Sequence, residues 1–308
     1  MIWEQAWRRF KRRLALTLYR RSTAPSLAAY YIGGGRYLPA SLRAELHQMV
    51  MTNAQYQPAD ERLPRQLYEG LFWCYLDLRI YGQRRAYLEG AWYETAINHL
   101  LQQHLPTQDV FIDIGANIGV YSLLAGKLMD DSRRVIAFEA NPATFAFLQE
   151  HIALNRVSNA TLYQVALGDD TGTITLQDCT AGNGRTSAVT HDTSDRACDV
   201  PLRRGDDLLV DVPPDARGIC KIDVEGMEYH VVRGLQAVIA TRPALWYVIE
   251  INPAWIAQTG ESAQGLHDIF AAQGFVAYRI DTPDGTWQML THAITDEQYL
   301  ALFKRPAR

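Results

Sequence analysis

The sequence predicts an α/β protein built on a mainly parallel sheet, with an antiparallel edge and an N-terminal helical extension. Three observations predict it. From about residue 91 onward, strand-length apolar runs alternate with helical stretches. The last two such runs are joined by the turn Pro283-Asp284-Gly285, which favours antiparallel pairing. The first 90 residues lack this alternation, so the expected division is a mainly helical extension over 1–90 and a second domain over 91–308. Of the 308 residues, 48% are hydrophobic and 21% charged, which excludes a disordered or collagen-like chain. No apolar run approaches the roughly 18–20 residues needed to span a bilayer.

Residues 25–90 read as helical and irregular, broken by Gly33, Gly34, Gly35 and by Pro25, Pro39, Pro58 and Pro64. A helix over Ala91–Leu105 is stopped by Pro106. Strands are expected at Val110–Ile114, Arg134–Glu139, Thr161–Leu167, Thr173–Leu176, Ile219–Asp223 and Leu245–Glu250. Helices are expected from the glycine turn after the first strand through Met129, then over Thr144–Leu154 and Glu228–Ala240. The chain closes with a helix (Ser262–Gln273), two strands (Phe275–Ile280 and Thr286–Leu290) and a final helix.

The net charge of −4 hides an asymmetry. Residues 1–24 hold seven basic residues against Glu4 alone, a charge of +6, with Trp3, Trp7, Phe10, Leu14 and Leu18 at helical spacing among them. The favoured reading of such a segment is a helix packed on the domain with a solvated basic rim, and peripheral contact with a membrane or an anionic glycan is the alternative. It lacks the long apolar core and small-residue cleavage site of a secretory signal. The remaining chain carries −10, which disfavours nucleic acid as a partner. Cys74, Cys179, Cys198 and Cys220 form no C-x-x-C pair, poor material for a disulfide framework or a zinc site. That spacing predicts a reducing, cytoplasmic location.

The sharpest motif is D-I-G-A-N-I-G over Asp113–Gly119, directly after a buried strand. A dinucleotide fingerprint starting at Gly115 needs glycine at 117 and 120, where Asn117 and Val120 stand, and no G-K-[ST] follows. A glycine turn without phosphate-binding spacing, preceded by an acid, suits a ligand with a cationic end and no phosphate. S-adenosylmethionine is such a ligand, with S-adenosylhomocysteine as its product. Asp113 would face its amino-acid portion. Glu139, ending the second strand, can accept both ribose hydroxyls, since two oxygens match two adjacent donors.

Four blocks carry a resemblance: Asp113–Gly119 with Tyr121 and Ser122; F-E-A-N-P over Phe138–Pro142; V-A-L-G-D over Val165–Asp169; and K-I-D-V-E-G over Lys221–Gly226 with Glu228, Arg233 and Gly234. Together they resemble the FkbM-type family of class I S-adenosylmethionine-dependent methyltransferases, from about Tyr93 to Ile280. The resemblance implies a Rossmann-like, mostly parallel seven-stranded sheet. It also implies cofactor contacts from Asp113, Gly115, Ala116, Asn117 and Gly119, from Glu139, Ala140 and Asn141, and from Ala166 and Leu167 beside the adenine. Glu94 matches an acidic position common in the family, closing over the methionine end. The implied reaction is O-methylation, mostly of sugar and other alcohol hydroxyls.

In a parallel open sheet, ligands bind beyond the carboxyl ends of the strands near the switch in strand order. Asp113, Glu139, Asp223 and Glu250 each end an expected strand, so four carboxylates converge on one rim. Methyl transfer from a sulfonium needs the nucleophile aligned and a proton removed. Asp223, which would also lie against the cofactor, is the first candidate base and Glu225 the second, with His230 and Glu250 behind them. A divalent metal on Asp223 and a second carboxylate is the less favoured route, because three-acid spacing is absent. Lys221 shares a strand face with Asp223 and would pair with a rim carboxylate. Arg185 and Asn183, in a glycine-rich loop, are candidate acceptor contacts. The expected acceptor is a hydroxyl-bearing carbohydrate. Methylation of another small molecule or of nitrogen, and a catalytically inactive nucleoside-binding anchor module, are the competing readings. Residues 25–90 would cover the acceptor or mediate a homodimer.

Overall fold

The structure, a computed structural model, describes residues 62–179 and 197–306. The chain forms two compact units, residues 1–93 and 94–308. The basic segment 1–24 and the loop carrying Asn183 and Arg185 lie outside the described residues.

In the first unit the described chain opens with a hairpin, where the sequence predicts helix and irregular chain. Strands β1 (Arg62–Leu67) and β2 (Phe72–Asp77) pair antiparallel, with Leu67 opposite Phe72, and helix α1 (Tyr81–Glu89) follows. The reason is a period-two pattern: Phe72, Cys74 and Leu76 are buried while Trp73 between them is exposed. Gly70, with φ +97°, turns the chain between the two strands.

In the second unit, α2 (Thr95–His104) leads into β3 (Val110–Ile114), α3 (Val120–Leu128), β4 (Arg134–Phe138), α4 (Pro142–Leu154) and β5 (Ala160–Tyr163). A small three-stranded sheet comes next, made of β6 (Ala166–Gly168), β7 (Gly172–Leu176) and β8 (Cys198–Arg204), in the order β6-β8-β7. The short helix α5 (Gly205–Leu208) precedes β9 (Gly218–Ile222), α6 (Glu228–Gly234), α7 (Gln236–Thr241) and β10 (Leu245–Ile251). The rest is α8 (Pro253–Ile256), α9 (Ala263–Ala272), β11 (Val276–Arg279), β12 (Gln288–Leu290) and β13 (Tyr299–Lys304).

The main sheet runs β12-β11-β13-β10-β9-β3-β4-β5. The pairs from β10 to β5 are parallel; those joining β13, β11 and β12 are antiparallel. The mostly parallel α/β architecture is therefore present, with eight strands where the resemblance implies seven. The additional one is the three-residue edge strand β12. The expected final helix is instead β13, inserted between β10 and β11 and buried from Tyr299 to Phe303. A fully apolar run that short carries no periodicity to separate strand from helix. The expected strand Thr161–Leu167 is two strands in different sheets, and the expected helix Glu228–Ala240 breaks at Leu235.

Cys179 and Cys198 form a disulfide, contrary to the expectation of free thiols. Antiparallel pairing sets Leu176 opposite Cys198, which brings two cysteines 19 residues apart together without any sequence motif. The argument for a reducing compartment falls with it. Cys74 and Cys220 are buried and free. Among the described residues no helix is long and apolar enough to cross a membrane.

Every residue of β3 and β9 is buried, as expected for central strands covered on both faces. Ile112, Ile114, Cys220, Ile222, Tyr247 and Ile249 join Val231 and Leu235 in one core. From β3 the chain adds β4 and β5 on one side, then crosses to add β9 and β10 on the other. The β3/β9 boundary is thus the topological switch point, and the carboxyl ends there are where a ligand is expected.

Candidate functional site

The turn leaving β3 is built from left-handed residues: Gly115 (φ +78°), Asn117 (φ +50°) and Gly119 (φ +89°). Backbone N–H groups of Gly115 and Ala116 donate to the Phe138 carbonyl at 3.0 and 2.9 Å, which ties this turn to the end of β4. On its other side the Asp223 N–H donates to the Ile114 carbonyl at 3.0 Å. A Cβ on Gly115 would lie 1.8 Å from the Asp223 carbonyl oxygen, so only glycine allows the two turns to meet.

Where they meet lies a pocket open to solvent. Its polar lining is Asn117, Glu139, Thr144, Asp223 and Glu225. Apolar lining comes from Phe138, Val165, Leu167, Val224 and Met227, and from Ile174, Leu176 and Leu202 of the small sheet. Of the residues the sequence singles out, Gly115, Asn117, Glu139, Ala140, Ala166, Leu167, Asp223 and Glu225 all line this pocket. Asp113, Ala116, Gly119, Asn141 and Glu94 are not among its lining residues. Asn141 is buried and caps α4, its side-chain oxygen accepting from the Ala143 N–H at 3.0 Å.

Glu139 accepts the Asn117 N–H on Oε2 and the Asn141 N–H on Oε1, each at 2.8 Å. Burial pushes its pKa up to about 7, against the lowering effect of those two N–H groups. Each carboxylate oxygen has a second lone pair with which to accept a ligand hydroxyl.

Asp113 is fully buried and is not part of the pocket lining. The Ser122 hydroxyl donates to its Oδ2 at 2.6 Å, and its Oδ1 has no hydrogen-bond partner among the described residues. Burial raises its pKa, while Lys221, its neighbour across the β3–β9 pair, acts in the opposite direction. Asp113, expected to face the ligand's amino-acid portion directly or through water, is buried beside Lys221 and is not among the pocket-lining residues.

The expected pairing of Lys221 is present: its Nζ lies 3.0 Å from Asp223 Oδ2 and 5.3 Å from the Tyr121 ring centroid. The Tyr121 hydroxyl donates to Glu94 Oε2 at 2.7 Å. Burial opposes the charge on Lys221, but Asp223, Asp113 and Glu94 around it outweigh that and raise its pKa. Glu250 is pushed up to about 10, first by burial and then by the negative charges of Asp223 and Glu94. The Gln298 amide donates to Glu250 Oε1.

Oxygens of Glu94, Asp223 and Glu250 lie within 4.8 Å of one another, close enough to hold a metal ion. No three-acid spacing exists in the sequence because the three come from separate segments, before α2, after β9 and within β10. His230 hydrogen-bonds Asp169 at 3.1 Å and is not part of the pocket lining. The wall residues Ile174, Leu176 and Leu202 were missed by the sequence reading. Alternation in T-I-T-L over Thr173–Leu176 points Ile174 and Leu176 to one face, and that is the signal that could have found them.

The Methyltransferase FkbM domain family matches residues 113–277. Methyltransferase 1 of Beauveria bassiana is 28% identical over 149 residues, covering 42% of this chain and 59% of its own length. The hexuronic acid methyltransferase AglP of Haloferax volcanii is 28% identical over 162 residues, covering 52% of this chain and 62% of its own. The chain thus spans about three fifths of the length of the curated relatives it matches. A crystal structure of an FkbM methyltransferase from Methylobacillus flagellatus KT is similar at 20% identity and a TM-score of 0.40, covering 64% of this chain and 43% of that one.

Proposed function

The chain belongs to the FkbM methyltransferase family, and from that premise we propose that it moves the methyl group of S-adenosylmethionine to a hydroxyl oxygen of a sugar, in a glycan or a glycosylated metabolite. The observation that carries the donor is Glu139: a carboxylate at the switch point, held by two backbone N–H groups, beside a glycine turn without phosphate-binding spacing. The residues fit that donor. Glu139 has lone pairs for two ribose hydroxyls, Phe138, Val165 and Leu167 offer an apolar face to adenine, and Asp223 and Glu225 bring negative charge to the same pocket.

When bound, S-adenosylmethionine supplies an electrophilic methyl group on a sulfonium. The chain itself must position the acceptor hydroxyl and take its proton. Asp223 is the base we assign, since it lines the pocket and joins it to the Lys221 network. Lys221, 3.0 Å away, and Glu250, hydrogen-bonded to the same carboxyl group, together fix its orientation. Glu225, also in the lining, stands second. The 28% identity to a hexuronic acid methyltransferase supports a sugar acceptor.

Two tests follow. Glycans and lipids from cells with and without the gene are expected to differ by about 14 Da, the mass of the methylene that one methylation adds, on a sugar hydroxyl. A shift on nitrogen or on a non-sugar acceptor redirects the acceptor assignment, and no shift with intact donor binding favours an inactive binding module. The second concerns residues 1–24, whose +6 charge supports contact with an anionic membrane or glycan surface. The intact chain is expected to sediment with anionic vesicles in a salt-sensitive way and the chain lacking 1–24 to stay in solution. No sedimentation of the intact chain would dispose of the membrane contact.

A further inference from the structure

The turn after β9 supplies Asp223, Val224, Glu225 and Met227 to the pocket, so its conformation decides what the pocket offers. That conformation is unusual. Glu225 (φ +54°) and Gly226 (φ +106°) are consecutive left-handed residues, and the first of them is not glycine. Something outside the turn must hold it.

Glu228 does. Its side chain is almost completely buried, at 2% exposure, and does not reach the pocket lining. Oε1 accepts the N–H groups of Val224 and Gly226, both at 3.1 Å, and Oε2 accepts the Gly226 N–H at 3.1 Å. A left-handed turn whose amides converge on one point is an anion-binding concavity, and here the anion is the protein's own. An acid in the first turn of a helix is favourable anyway. That general preference accounts for neither its burial nor its reach back to Val224, four residues upstream.

We propose that Glu228 is the positioning residue of this site: its carboxylate templates the Asp223–Met227 turn, and through that turn it sets the affinity for the donor. The clause on affinity rests on S-adenosylmethionine being the donor; the clause on the turn does not. Removing the carboxylate leaves two amides without their acceptor and frees Glu225 to return to ordinary backbone. Val224 and Glu225 then lose their fixed places in the pocket, while Asp223 stays tied to the Ile114 carbonyl and to Lys221. A small carboxylate from solution fits the emptied concavity.

The test uses the full chain, wild type against Glu228→Ala and Glu228→Gln, with two readouts: S-adenosylhomocysteine affinity by calorimetry, and hydrogen exchange at the amides of Val224 and Gly226. Glu228→Ala is expected to weaken binding by roughly tenfold or more, the size of a lost hydrogen bond to a charged group, and to speed exchange at both amides. Formate at tens of millimolar is expected to reverse both effects in part. Glu228→Gln, keeping one oxygen acceptor, is expected to fall between, and it carries the same readouts should the alanine variant not fold. Affinity within about twofold of wild type, unchanged exchange, or a loss in a folded alanine variant that formate leaves untouched would each overturn the proposal. A wild type that ignores S-adenosylhomocysteine removes the donor reading instead, and the exchange arm still decides the role of Glu228.

Discussion

Glu139→Ala is expected to lower the affinity for S-adenosylmethionine and S-adenosylhomocysteine by about 10²- to 10⁴-fold in calorimetry. The size follows from two charge-assisted hydrogen bonds to ribose hydroxyls, at roughly 1.5–3 kcal/mol each. The variant also strips the Asn117 and Asn141 amides of their acceptor, so the turn after β3 loosens as well. A pH dependence accompanies the prediction. Burial holds the Glu139 carboxyl near 7, yet the ionised form is the one that accepts two hydroxyls. Donor binding therefore favours proton release, and affinity should rise from about pH 6 to pH 8 and then level off. Stability of the free protein runs the other way. The folded state keeps a proton that the unfolded chain has already lost, so this group's contribution declines as pH rises from the ordinary carboxylate range through 7. In Glu139→Ala the affinity trend should vanish and the stability trend should shrink, since burial also raises the Glu228 carboxyl to about 7. Unchanged affinity in a folded variant would remove the ribose assignment.

Asp223→Asn should separate binding from chemistry. Donor affinity is expected to stay within about threefold, while turnover falls by about 10²- to 10⁴-fold, the range of a lost general base. The amide keeps the side chain's shape and an oxygen for Lys221, and it cannot take a proton from the acceptor. The measurement is single-turnover methylation of the acceptor identified by its mass shift, at saturating donor. Turnover equal to wild type would exclude Asp223 as base and pass the role to Glu225, the other pocket-lining acid on the same turn.

Local features of the chain made much of this site readable. The turn over Asp113–Gly119, the acid at 139 and the Lys221–Gly226 block each follow directly from a buried strand, and a strand end fixes where the next few residues go. What stayed hidden depends on contacts between distant segments. Glu94, Asp223 and Glu250 converge only because β9 lies between β3 and β10. The apolar wall from Ile174, Leu176 and Leu202 requires β7 and β8 to pair across a long excursion, and the Cys179–Cys198 bridge arises from that same pairing. The motif points Asp113 at the ligand, directly or through water, but does not show that it is buried in register with Lys221. Glu228 was read only as part of a motif, since nothing in the spacing tells a helix-start acid from one that reaches back into the preceding turn.

The position of β13 has a consequence for how the molecule is made. It pairs with β10 on one side and β11 on the other, so the β11–β12 hairpin, synthesised earlier, has no neighbour in the sheet until residues 299–304 arrive. Until residues 299–304 dock, the β10 edge is unpaired and the β11–β12 hairpin is detached from the sheet. Deleting residues 299–304 should therefore leave an open edge that drives aggregation, seen as loss of soluble protein.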